Sequence, residues 1–158
     1  MVYSNERTIL KELQTVLNNK LMDMVRTVAQ RSEDEVVFNV AQFSDASLND
    51  QLIEHEEFGL IFVDDSGYES EPEVGQSVIN TVRIGCQAII IDRGNLARDI
   101  SLLRMALAEL ILNSDFDFET FSSTKVESTK PTPLDFGAKD SSIKYVASGV
   151  VAIFKLGF

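Results

Sequence analysis

The chain has 158 residues, 44% of them apolar and 25% charged, with 25 acids against 14 bases for a net charge of -11. That composition belongs to a folding globular domain, and the length suits one hydrophobic core rather than a disordered tail. It excludes a basic nucleic-acid surface, and no apolar run approaches the roughly 20 residues that cross a bilayer.

From Ser4 to Gln30, Leu10, Leu13, Leu17, Leu21, Met24 and Val28 recur in steps of three or four and form one apolar helical stripe, with Ser4 as N-cap. Val36 to Val40 reads as a short strand and Ala46 to Glu57 as a segment with a helical turn. Phe58 to Val63 is a buried strand closed by the turn cluster Asp64-Asp65-Ser66-Gly67, followed by a polar connection with Pro72 and Gly75. Ser77 to Ile91 alternates: Val78, Val82, Ile84, Cys86, Ala88 and Ile90 share one face, while Thr81, Arg83 and Gln87 share the other. So long a strand is expected to bend at Gly85.

Asn95 is the expected N-cap of a second helix, with Leu96, Ile100, Leu103, Leu107, Leu110 and Ile111 at helical spacing to Asn113. Asp99 stands in its first turn, where the helix dipole favours an acid. Phe116 to Glu127 begins with strand alternation, and Ser128 to Ser142, with Pro131, Pro133 and Gly137, reads as a flexible loop. Ile143 to Leu156 closes the series as a Val- and Ile-rich strand, irregular at Ser148-Gly149. Helices and strands are segregated, not alternating. The order predicts a single α+β domain over 1–158, a mainly antiparallel sheet with two amphipathic helices packed on one face.

Chemistry is sparse. His55 stands in Glu54-His55-Glu56-Glu57, but consecutive residues do not converge on one ion and there is no second histidine, so a solvated turn is the reading. Asp64-Asp65-Ser66-Gly67 lacks the acid spacing of a calcium loop. The one cysteine, Cys86, excludes an internal disulfide and falls on an apolar strand face, as a small core residue does. Asp115 and Asp117 alternate with Phe116 and Phe118 as in any half-buried strand, and no Gly-rich phosphate loop is present. The expectation is a protein that is not an enzyme, with no catalytic residue, no cofactor and no metal. Met1 to Arg7 carries no hydrophobic signal region, which adds the expectation of a cytoplasmic location.

Charge is the most informative pattern. Ser32 to Val82 holds 13 acids and no Lys or Arg, so the remainder of the chain carries 12 acids and 14 bases. Such a stretch is either a solvated surface or an acidic face that docks on a basic face of another copy or partner.

The N-terminal amphipathic helix, acidic middle, long alternating strand, Leu-rich helix led by Asn95-Leu96-Ala97-Arg98-Asp99, and final Ser148-Gly149-Val150-Val151-Ala152-Ile153-Phe154 strand follow one another in a familiar order. In order and length the chain resembles the tail-terminator and minor tail proteins of tailed bacteriophages, in particular the Mu-like prophage tail protein family. The resemblance implies a protomer that forms a homohexameric ring, caps the tail tube, stops its growth and presents a surface to the head. It also implies as partners a second copy of the chain, a tail-tube or sheath protein and a head-tail connector protein. It implies no direct nucleic-acid or membrane contact, and a place in the virion tail after assembly in the host cytoplasm. The acidic 32–82 stretch departs from the family. The alternatives are another virion component, such as a connector or baseplate protein, or a small ligand-binding or enzymatic α+β domain. Arg83, the one base on the polar face of the long strand, is the expected subunit-interface residue. Leu134 and Phe136, apolar in a loop with no stripe to join, are the expected partner-contact residues.

Overall fold

A computed structural model of the chain describes residues 6–40, 42–44, 58–72, 78–114, 116, 124–134 and 144–157. Helix α1 (Glu6–Ser32) buries Ile9, Leu10, Leu13, Leu17, Leu21, Val25 and Val28, so its stripe drifts to Val25 where the sequence suggested Met24. The expected cap at Ser4 lies outside the described residues. At the far end Glu33 takes φ 58, and the amides of Glu33 and Asp34 reach back to the carbonyls of Gln30 and Ala29. These two bonds close the last turn as glycine usually does, here with a side chain in the left-handed region.

Residues 34–40 do not form the expected strand. Phe38 and Val40 alternate into the core as a strand would, but the Val40 amide meets the Met22 sulfur instead of a neighbouring strand. The chain is next pinned at strand β1 (Phe43–Ser44), where Asn18 of α1 bonds both the N–H and the C=O of Phe43. The helical turn expected in Ala46 to Glu57 lies outside the described residues.

Strand β2 (Phe58–Pro72) runs through the supposed turn at Asp64 to Gly67. Its pairing with β3 (Val78–Ile91) is antiparallel from Phe58 to Val63, shifts register, and resumes from Tyr68 to Pro72. The extra residues are absorbed as a bulge because β3 offers an unbroken edge on either side of them. The ladder is not broken at Gly85, where the sequence suggests a bend: β3 pairs with β6 (Tyr145–Gly157) without interruption from Ile79↔Gly157 to Ile91↔Tyr145. Neither is β6 irregular at Ser148-Gly149. Gly149 is there because the sheet closes tightly around it, a Cβ at that position colliding with the Cys86 carbonyl oxygen. Gly59 serves similarly beneath the Phe43 ring.

Helix α2 (Leu96–Asn113) begins at Asn95, whose side chain makes no cap bond. Asp92 supplies local order instead, its Oδ1 accepting the Gly94 amide at 2.9 Å. Strands β4 (Lys125–Ser128) and β5 (Thr132–Leu134) both pair antiparallel with β6. The expected loop from Ser128 to Ser142 is therefore structured through Leu134. Thr129 anchors it, exchanging N–H and hydroxyl bonds with the backbone of Gly149. Residues 135–142 lie outside the described residues, and Phe116 is outside any strand, its ring edge-on to Phe154 at 6.1 Å.

The result is an α+β fold with a mainly antiparallel sheet of order β1-β2-β3-β6-β4, β5 lying beside β6, and, among the described residues, only β1 parallel to its neighbour. The helices pack on each other, α1 also meeting β1 and β2, and α2 meeting β6 and β4. One core unites both helices with Val82, Ile84, Cys86, Ala88 and Ile90 of β3 and Val146, Val150, Ala152 and Phe154 of β6.

Candidate functional site

Strand register determines which side chains share the sheet face turned away from this core. Arg83 of β3 lies opposite Ile153 of β6, and Ile153 lies opposite Lys125 of β4, so the three stand in one row. Thr81 pairs with Lys155, and Glu127 with Val151, which adds both charged residues to the same face. Three bases and one acid thus gather across β3, β6 and β4. The Arg83 guanidinium donates to Glu127, Nη2 to Oε2, at 3.1 Å within the same chain. Arg83 is 28% exposed at its side chain and Glu127 59%. A pair this open contributes at most about 1 kcal/mol, so it orients Arg83 more than it stabilises the fold.

The same face is apolar at its other end. Leu134 of β5 pairs with Tyr145, which pairs with Ile91, while Ile89 pairs with Ala147. Leu134 is half-buried, whereas Ile89 and Ala147 are buried although they stand apart from the main core. Two residues singled out by sequence, Arg83 and Leu134, therefore share a face. The eight-residue step from Ile153 to Tyr145 puts them about 26 Å apart. Phe136 lies outside the described residues. Lys125, Lys155 and Glu127 escaped the sequence reading. Alternation along β6 was the available signal for Lys155; for β4 nothing short of the pairing register reveals it.

Elsewhere among the described residues the titratable groups form single pairs or stand alone. Cys86 is fully buried, and burial pushes its thiol up to about 12. Asp99 is 1% exposed in the first turn of α2, with Arg98 Nε 3.4 Å from its Oδ1. Among the described residues no three His, Cys, Asp or Glu side chains cluster as a metal site, and no helix is long and apolar enough to cross a membrane. His55 lies outside the described residues. A second surface feature is a cleft of about 570 Å³ between α2 and the β4–β5 corner, lined by Leu96, Ile100, Arg104, Met105, Ser128 and Pro131 among others. Arg104, one of its lining residues, donates Nη2 to the Thr129 carbonyl.

No protein-family model matches the chain, and no curated protein matches it.

Proposed function

We propose that the chain is a structural, non-catalytic subunit of a bacteriophage or prophage tail, a tail terminator whose copies close into a ring, probed most directly as a hexamer. The observation that carries the reading is the division of charge across one open sheet. At one edge β2 bears Asp64, Asp65, Glu69 and Glu71, and beyond Leu60 its outer side pairs with no strand among the described residues. Beyond β3, whose Arg83 is paired to Glu127, Lys155 of β6 and Lys125 of β4 stand toward the other edge. An acidic edge and a basic edge at opposite ends of a subunit favour head-to-tail contacts, and contacts of that kind close into rings. In this reading both helices cover one face of the sheet. The face with Arg83 and Leu134 meets the neighbouring subunit or the tail tube, and the head-tail connector binds the finished ring.

Native mass measurement with negative-stain imaging, on the free protein and with tail-tube protein added, tests the proposal. Closed six-membered rings in either sample are the expected result. Scattering that shows only a monomer, with a radius of gyration near ~15 Å at every concentration and with tail-tube protein present, overturns it.

A further inference from the structure

Among the described residues the exposed large apolar side chains are Val37, Met105 and Leu112 at 37%, 53% and 51% exposure. Met105 and Leu112 are seven residues apart, two turns along α2, and so stand on one stripe of the helix. Ala97 and Ser101 continue that stripe toward the helix start, exposed and small. There the stripe runs into the cleft, whose walls include Leu96, Ile100 and Pro131 and whose cation is Arg104. Arg104 is half-buried, its Nε buried without a hydrogen-bond partner, and the exposed Lys130 adjoins the cleft residue Pro131 in the chain. This end of α2 is thus apolar and basic.

The opposite end is apolar and acidic. Arg31 near the end of α1 grips both carboxylate oxygens of Glu109 at 2.9 and 2.8 Å, one turn before Leu112. The chain leaving α1 starts beside that end of α2, and it carries Glu33, Asp34, Glu35 and the exposed Val37.

We propose that this face of α2 is a two-fold contact with a second copy of the chain. The argument for a copy as the occupant is self-complementarity. Ile100 and Leu112 are about 18 Å apart along the helix, so two antiparallel α2 helices crossing near Met105 bring the Leu112 end of each over the cleft end of the other. Val37 and Leu112 then meet the apolar cleft walls, and Glu33 and Glu35 meet Arg104 and Lys130, twice over by symmetry. The contact closes at two copies and is separate from the edge-to-edge contacts of the ring.

Sedimentation equilibrium of the full chain without tail protein tests it. The wild type is expected to dimerise, and Met105→Glu, at a site too exposed to matter for folding, to weaken association at least about tenfold. Arg104→Glu is expected to weaken it as well, and Arg104→Glu combined with Glu33→Lys and Glu35→Lys to restore it. A wild type that stays monomeric over the accessible concentrations overturns the proposal. So does association that Met105→Glu leaves unchanged; a six-membered ring surviving that substitution would remove the two-fold contact and leave the ring standing.

Discussion

Cys86 illustrates how one buried group sets a pH dependence for the whole domain. Its thiol, pushed from 9.0 to about 12 by burial, stays protonated in the folded chain long after it has ionised in the unfolded one. Stability from this group is intact below pH 9 and falls as pH rises toward 12, by about 1.4 kcal/mol per unit, because the unfolded state releases the proton first. Denaturant unfolding at pH 8 and 10 should show the wild type losing about 1.4 kcal/mol more than Cys86→Ala over that interval. Equal losses would mean the thiol is hydrated in the folded state. The residue's place was readable in advance from the alternation of β3, since every second position from Val82 to Ile90 is buried. Arg83 was readable for the same reason. Its partner Glu127 was not, because the strand that presents it is joined through β6 and no local pattern encodes that register.

Elements with two unlike faces were legible from their periodicity, as α1, α2, β3 and β6 show. Periodicity misled where burial and hydrogen bonding part company. Phe38 and Val40 alternate like strand residues but pair with no strand among the described residues, while Pro133 reads as loop although it lies in β5, an edge strand, where a missing N–H is tolerated. What holds the β4–β5 corner is Thr129, through its amide and hydroxyl bonds to Gly149 at 3.0, 3.2 and 3.0 Å. Thr129→Val keeps the shape and removes the hydroxyl bonds, one of which satisfies the Gly149 amide. The expected cost is about 1–3 kcal/mol in denaturant unfolding, with faster amide exchange at Gly149 and through β5. Unaltered exchange there would show that strand pairing alone holds the corner.

For the whole molecule, the division of charge would make the proposed assembly an electrostatic matter. Lys125 is exposed on β4, on the sheet face turned away from the core, so Lys125→Glu should leave the unfolding transition within about 0.5 kcal/mol of wild type. In the proposed ring the same change sets acid against the acidic β2 edge. Assembly with tail-tube protein should weaken, and wild-type rings should themselves loosen as salt rises and the Debye length falls from about 10 Å toward 3 Å. Rings of unchanged mass and salt response in Lys125→Glu would place Lys125 outside the contact.

The uninterrupted β3–β6 ladder also governs how the chain reaches this state. Its closest partners in sequence, Ile91 and Tyr145, enclose a loop of about 50 residues, and each successive pair encloses a longer one. The β2–β3 hairpin closes over a much shorter span, beginning with Pro72 and Val78. Loop-closure entropy therefore orders the events: α1, α2 and the hairpin gather first, and β6 docks on β3 late, completing the core and seating β4 and β5 in one step. Refolding should be a millisecond-to-second process, limited by the gathering that precedes that docking. Substitutions on β6 at Val150 or Phe154 should then act mainly on the unfolding rate, and those on the β2–β3 hairpin mainly on the folding rate.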